Sequence, residues 1–72
     1  MTLDMLSPGE RALVRFINDD ILTRRLLALG FAAGGEVKCA FAAPCGDPVA
    51  YEYGSLCVAL RRRDAAKVEL WD

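Results

Sequence analysis

The spacing of hydrophobic residues predicts one short helix in the first half of the chain. Three leucines recur at the helical spacing i, i+4 and i+7, namely Leu22, Leu26 and Leu29. They share one side of a helix of about two to three turns, and the rest of the protein must cover that side. Asp19 or Asp20 can cap the start of this helix with its carboxylate. Gly30 is expected to end the helix in the left-handed conformation, and Phe31 to fold back onto the leucines.

The stretch before the helix, residues 10–18, is predicted to be a strand. Three of its residues alternate on one face and are expected to point into the core: Ala12, Val14 and Phe16. Leu13 and Ile17 interrupt this alternation. A β-bulge, or a strand that is covered on both faces, would account for the interruption.

After the helix, turn residues separate four further strands. Gly34 and Gly35 are expected to adopt positive backbone angles in a tight turn, residues 43–48 form a rigid corner with two prolines, and residues 54–55 form a hairpin turn. The strands are predicted at residues 36–42, 49–53, 56–60 and 68–70, the last reaching at most to Trp71. The residues expected to point into the core are Val37, Cys39, Phe41, Val49 and Val58. Residues 61–66 are polar and predict a single helical turn.

Five short strands and one helix predict a mainly β fold. The 72 residues are expected to form a single domain, residues 1–72, built as a small, strongly bent antiparallel β-barrel. A chain of this length buries only about 60% of its unfolded surface, so it can hold one compact core.

The charge and composition restrict which kinds of binding partner and which cellular compartment are expected. The formal net charge of −1 gives no general attraction to nucleic acid or to anionic lipid. No stretch approaches the roughly 18 apolar residues of a membrane span, and no export signal is evident. The three cysteines are an odd count. We therefore expect a cytoplasmic protein with free thiols, without membrane insertion and without a nucleic-acid partner.

A set of short motifs in a fixed order resembles that of a known family. The motif residues are Leu3, Pro8-Gly9-Glu10, Arg24-Arg25-Leu26, Leu29-Gly30-Phe31, Gly34, Glu36-Val37, Ala43-Pro44, Gly46-Asp47-Pro48 and Ala59-Leu60-Arg61. In these motifs, over nearly its whole length, the chain resembles the FeoA family of ferrous iron transport proteins. The resemblance implies an SH3-like barrel that serves in the cytoplasm as an accessory protein of FeoB, the GTP-hydrolysing membrane transporter of ferrous iron.

The residues offer little catalytic or metal-binding chemistry. The chain has no histidine, and its glycine turns lack the lysine and the serine or threonine of a phosphate-binding loop. Cys39, Cys45 and Cys57 are spaced by six and twelve residues, which matches no standard metal motif. Cys39 is expected to be buried, which leaves Cys45 and Cys57 as candidate metal ligands. We expect a protein that is not an enzyme and has no tightly bound cofactor, although transition-metal binding stays open.

Exposed apolar and basic residues are the candidate partner-binding groups. Leu27 lies off the predicted leucine side and beside a charged pair, Arg24 and Arg25, so it is expected to be an exposed leucine. Trp71 is of a type enriched at interface anchors, with packing across the barrel mouth as the alternative. The basic run at residues 61–63 is interpreted as a solvated helical turn.

Together these features predict an adaptor that binds the cytoplasmic domain of a FeoB-type transporter, as the family resemblance implies. Two alternatives stay open. One is a small thiol-based metal carrier, and the other is a regulatory SH3-like domain that works with a metal-dependent repressor. Self-association of the chain also stays open.

Overall fold

The structure, a computed structural model that describes residues 1–71, is built on five antiparallel strands and one main helix. The elements in chain order are a 3-10 turn (Leu3–Met5), β1 (Arg11–Ile17), α1 (Asp20–Leu29), β2 (Glu36–Ala42), β3 (Val49–Tyr53), β4 (Leu56–Leu60), the single turn α2 (Arg62–Ala65) and β5 (Val68–Leu70). The five strands predicted from the sequence are confirmed, each to within one residue at its ends. The 3-10 turn was not predicted.

One sheet contains all five strands, in the order β4-β3-β2-β1-β5. β1 pairs with β2 over Arg11–Leu13 and with β5 from Val14 to Ile17, so the sheet bends around the middle of β1. β4 and β5 lie at the two ends of the sheet. The result is the small, strongly bent antiparallel barrel that the strand pattern predicts, with one helix covering it.

Two β-bulges turn two phenylalanines away from the core, in contrast to the prediction from alternation. The register of β1 against β5 shifts between Val14 and Phe16, and that of β2 against β3 shifts between Cys39 and Phe41. An extra residue reverses the alternation beyond it. Phe16 is therefore 42% exposed and Phe41 63% exposed, and the prediction that both point into the core is wrong. Ile17 packs against the core in place of Phe16.

Asp19 caps the start of α1. Its Oδ1 accepts a hydrogen bond from Leu22 N–H at 2.8 Å, and its Oδ2 lies 3.2 Å from Lys67 Nζ. The hydrogen bond and the nearby ammonium both favour the carboxylate, and so they lower the pKa of Asp19 below its usual value. Of the two candidate caps, the structure selects Asp19 and leaves Asp20 in the first turn.

Gly30 ends the helix with φ at 99°, as predicted. The Phe31 N–H donates to Leu26 O at 2.8 Å, which places Phe31 directly beneath the helix end. Leu22, Leu26 and Phe31 are buried, but Leu29 is 55% exposed, so its predicted place on the covered side is wrong. The chain reverses at Gly30 and brings Phe31 into the core. Phe31 therefore covers this end of the core, and Leu29 stays at the surface.

The core is a single apolar cluster between the bent sheet, α1 and the two short helical turns. Its buried members are Leu3, Leu6, Val14, Leu22, Leu26, Phe31, Val37, Cys39, Val49, Tyr51, Leu60, Ala65, Val68 and Leu70. Val58 packs against this cluster while staying partly exposed. The inward orientation predicted for Val37, Cys39 and Val49 is confirmed.

Tyr53 lies at the rim of the core, against the segment that follows α1. Its hydroxyl donates to Ala32 O at 2.8 Å, and its ring centroid is 4.6 Å from that of Phe31. A Cβ atom at Gly35 would overlap the Tyr53 ring. Of the glycine pair, Gly34 alone has the predicted positive angle, with φ at 99°, whereas Gly35 is required for close packing.

We expect Gly35→Ala to lower the free energy of unfolding by about 1–3 kcal/mol, because the added methyl group displaces the Tyr53 ring from Ala32 and Phe31. Chemical denaturation measures this change. In a Tyr53→Ala background the same substitution should cost much less, since no ring remains to be displaced. Equal costs in the two backgrounds would contradict the proposed steric cause.

Candidate partner-binding site

A groove of about 460 Å³ lies between α1, the end of β1 and the segment after the helix. Besides two alanines after the helix, it is lined by Phe16, Ile17, Asp20, Thr23, Leu27 and Phe31. Most of these side chains are apolar, and Asp20 is the one charged group among them. The groove can therefore accept an apolar side chain, with a carboxylate at one side for a basic or hydrogen-bonding group.

The local sequence builds the two walls of the groove. Asp20, Thr23 and Leu27 are spaced i, i+3 and i+7, so they share one side of α1. The Thr23 hydroxyl lies 2.7 Å from Asp19 O and 3.3 Å from Ile17 O, which ties the first turns of α1 to the end of β1. The helix wall and the strand wall are thus held in a fixed relation.

The rim of the groove continues into an exposed cluster of Arg15, Phe16 and Trp71, here called the aromatic rim. The Arg15 guanidinium lies 5.9 Å from the ring centroid of Phe16 and 4.8 Å from that of Trp71. These are cation–π distances, each contributing about 0.5–1 kcal/mol at an exposed site. The Trp71 residue is 56% exposed, and its backbone N–H donates to Leu13 O at 3.0 Å.

The structure places two of the four residues predicted to bind a partner at the groove or at its aromatic rim. Leu27, 60% exposed, lines the groove, and Trp71 belongs to the aromatic rim that starts at Phe16. Arg24 and Arg25 are both exposed but differ in direction. Helical spacing puts Arg24 beside the groove-lining side of α1 and Arg25 on the far side.

Sequence reasoning missed Arg15 and Phe16 as site residues. Strict alternation predicts that Phe16 points into the core, but the bulge in β1 turns it outward beside Arg15. A signal was present in the sequence, because Leu13 and Ile17 break the alternation on both sides of the bulge. That signal shows that an irregularity exists without fixing which residue is turned out.

The three cysteines lie on different elements. Cys39 is buried in β2, and burial raises the pKa of its thiol. Cys45 is exposed in the corner before β3, where its thiol donates to Asp47 O at 3.0 Å, and Cys57 is exposed on β4. Among residues 1–71 no group of three or more cysteine or carboxylate side chains is placed to hold a metal ion.

The basic run contains a residue that holds two distant segments together. Arg62 N–H donates to Asp47 Oδ1 at 2.9 Å, and its side chain donates to Gly46 O at 2.5 Å and to Asp4 O at 3.3 Å. Arg62 thereby connects the Gly-Asp-Pro corner with the amino-terminal turn. Its role is structural, although its side chain is exposed like those of its two arginine neighbours.

No helix within residues 1–71 is both long enough and apolar enough to cross a membrane.

Comparison with known proteins gives one family. A family model described as the FeoA domain matches residues 1–70. Among curated proteins, the Fe(2+) transport protein A/Fe(2+) transporter FeoB fusion protein of Porphyromonas gingivalis is 38% identical over 71 residues. The match covers 97% of this chain and 8% of that relative, so this chain spans less than a tenth of the length of the fusion protein.

Solved structures confirm the predicted SH3-like fold. FeoA of Chlorobium tepidum superimposes with a TM-score of 0.90 at 31% identity, covering 97% of this chain and 68% of that one. FeoA of Stenotrophomonas maltophilia, complexed with zinc and described as a procaryotic SH3 domain protein, has a TM-score of 0.84 at 35% identity and covers 97% of this chain and 88% of that one. A manganese-dependent transcriptional repressor shares the fold alone, with a TM-score of 0.82 at 16% identity.

We expect thiol titration with 5,5′-dithiobis(2-nitrobenzoate) to separate the cysteines. In the native protein Cys45 and Cys57 should react rapidly, because both are exposed, whereas buried Cys39 with its raised pKa should react only after unfolding. The absorbance of released thionitrobenzoate counts the reacting thiols. Rapid reaction of all three in the native protein would contradict the burial of Cys39.

Proposed function

The chain belongs to the FeoA family, and from that premise we propose that it is an accessory protein of ferrous iron uptake that acts by binding a FeoB-type transporter. The proposed partner surface is on the cytoplasmic part of the transporter, and the proposed location of this chain is the cytoplasm. The Porphyromonas gingivalis relative supports the pairing, because it joins the two proteins in one polypeptide. Such a linkage raises the effective concentration of one domain near the other.

The observation that carries the proposal is the groove with its aromatic rim. Leu27, Phe16 and Trp71 are large, exposed apolar side chains, and Arg15 contacts both aromatic rings. Aromatic residues and arginine are enriched at binding hot spots, and a surface of this composition gains from being covered. We infer that an apolar side chain of the transporter enters the groove and that a basic or hydrogen-bonding group meets Asp20.

The proposed action is a shift in the conformational populations of the transporter. Because the chain offers a binding surface and its residues suggest no catalytic centre, it can favour a transporter conformation only by binding that conformation more tightly. A difference in affinity between the nucleotide-bound and nucleotide-free forms of the partner would couple binding to GTP hydrolysis.

We predict that Leu27→Asp weakens binding to the purified cytoplasmic domain of the FeoB partner at least about tenfold. Burial of one leucine contributes about 1.5–3 kcal/mol, and 1.4 kcal/mol corresponds to a factor of ten in the dissociation constant. Isothermal titration calorimetry, with and without guanine nucleotide, measures the constant. The native circular dichroism spectrum should be unchanged, since Leu27 is exposed.

Two matched pairs of variants locate the surface on α1. Leu29→Asp serves as the control for Leu27→Asp, because Leu29 is equally apolar, similarly exposed and outside the groove. Arg24→Glu should weaken binding more than Arg25→Glu, since Arg24 lies beside the groove-lining side. Wild-type affinity in both Leu27→Asp and Arg24→Glu would remove this surface assignment.

We further propose that the chain holds no resident metal or other cofactor and that ferrous iron is cargo of the transporter. The candidate ligands Cys45 and Cys57 lie on different elements, and the Cys45 thiol already donates to Asp47 O. We expect no stoichiometric iron or zinc after gel filtration with either metal. Retained metal that is lost in a Cys45→Ser/Cys57→Ser variant would instead favour the thiol-based carrier.

A further inference from the structure

One edge of the sheet lacks the usual protection against pairing with another strand. β4 ends the sheet, and its residues Leu56–Leu60 include no proline, glycine or charged side chain. Edge strands commonly carry such residues because free backbone groups otherwise pair with another chain. The opposite edge differs, since the amino-terminal segment covers part of β5: Leu70 N–H donates to Met1 O at 2.8 Å, and Thr2 bridges to Glu69.

The register of the β3–β4 hairpin shows which backbone groups of β4 face outward. Tyr53 and Leu56 flank the two-residue loop and form its closing hydrogen-bonded pair. Hydrogen-bonded and non-hydrogen-bonded pairs alternate along an antiparallel ladder. Val58, two residues after Leu56, therefore also directs its N–H and C=O groups toward β3. Cys57 and Ala59 direct theirs away from β3, and no backbone hydrogen bond from outside the hairpin reaches them within residues 1–71.

We propose that β4 pairs with β4 of a second copy of this chain, antiparallel and across a two-fold axis at Val58. In this register Cys57 lies opposite Ala59 of the second copy, and Ala59 lies opposite Cys57 of the second copy. A pair of this kind exchanges two hydrogen bonds, so the outward groups of both strands are all bonded. If the register shifted by two residues in one direction, Ala59 would lie opposite Ser55 in the hairpin turn of the second copy. A shift in the other direction would place Cys57 opposite Arg61, whose carbonyl already accepts hydrogen bonds from α2.

The core-side side chains of β4 favour an apolar partner strand, and β4 of a second copy is such a strand. In this register Leu56 meets Leu60 of the second copy, and the two Val58 side chains meet at the axis. Leu56 and Val58 are only partly buried in the single chain, so pairing would remove more of their apolar surface from water. A strand with charged residues at these positions would not gain in the same way.

The outer side and the ends of β4 also match a second copy. Cys57 and Ala59 are exposed, uncharged and small, so they leave room for one another across the new strand pair. Arg61, the first cation beyond the strand, falls opposite Ser55 of the second copy. Like charges directly opposite each other destabilise a strand pair, and the proposed pairing contains none.

Pairing through β4 would leave the groove free. β4 is separated from β1 by β2 and β3, whereas the groove lies between β1 and α1. A dimer would present two grooves and could bind two transporter domains at raised effective concentration. The inference does not depend on the identity of the partner, and the small contact predicts a weak, concentration-dependent dimer.

The test is the molar mass of the chain over a concentration series in reducing buffer, by sedimentation equilibrium. We expect the mass to rise from 7.9 kDa toward twice that value, and the amide resonances of Cys57 and Ala59 to shift with concentration. The variant Cys57→Lys/Ala59→Lys sets like charges opposite each other and should stay monomeric. Its matched control, Cys57→Lys/Ala59→Glu, sets opposite charges at the same positions and should retain the dimer.

Several outcomes would overturn the proposal. These are a mass of 7.9 kDa at every concentration up to the solubility limit, dimerisation of the double-lysine variant equal to wild type, and association that leaves the Cys57 and Ala59 amides unshifted. Loss of self-association in Leu27→Asp would assign the contact to the groove instead. Circular dichroism of each variant separates a lost interface from a lost fold.

Discussion

The bulge in β1 is the constraint on which the rest of the described surface depends. It separates the part of β1 that pairs with β2 from the part that pairs with β5, so the strand can serve both neighbours and the sheet can bend around the core. The same irregularity keeps Val14 and Ile17 on the core side and turns Phe16 outward. The strand wall of the groove and the exposed Phe16 ring of the aromatic rim thus both result from the one extra residue in the β1 bulge.

The second wall depends on α1, whose two ends are fixed by hydrogen bonds. Asp19 caps the first turn, and the chain reverses at Gly30 so that Phe31 both lines the groove and belongs to the core. In a chain of this size, the same residues have to close the core and shape the surface. Exposed Leu27 follows buried Leu26 in α1, so the packing of the helix against the core sets the position of Leu27.

The surfaces of the molecule divide between different roles. The groove and the aromatic rim lie at α1, β1 and β5, and their composition favours binding to another protein. The Gly-Asp-Pro corner is bonded to Arg62 and connects distant parts of the chain, which makes it a structural feature. The β4 edge lies apart from both, and its open backbone groups favour pairing with another strand. Membership of the FeoA family directs the proposal toward the ferrous iron transporter, and the groove gives that proposal a surface.

Local sequence was sufficient for the existence and bounds of the strands, for the helix ends and for the exposure of Leu27. Turns at glycine and proline, a carboxylate before the helix and alternating apolar residues act over a few positions, so they can be read along one chain. The faces of Phe16, Phe41 and Leu29, and the meeting of Arg15 with Trp71, were decided by the tertiary structure. A bulge is set by the register of two paired strands, and burial depends on what lies opposite, so neither is contained in the spacing of residues along a single element.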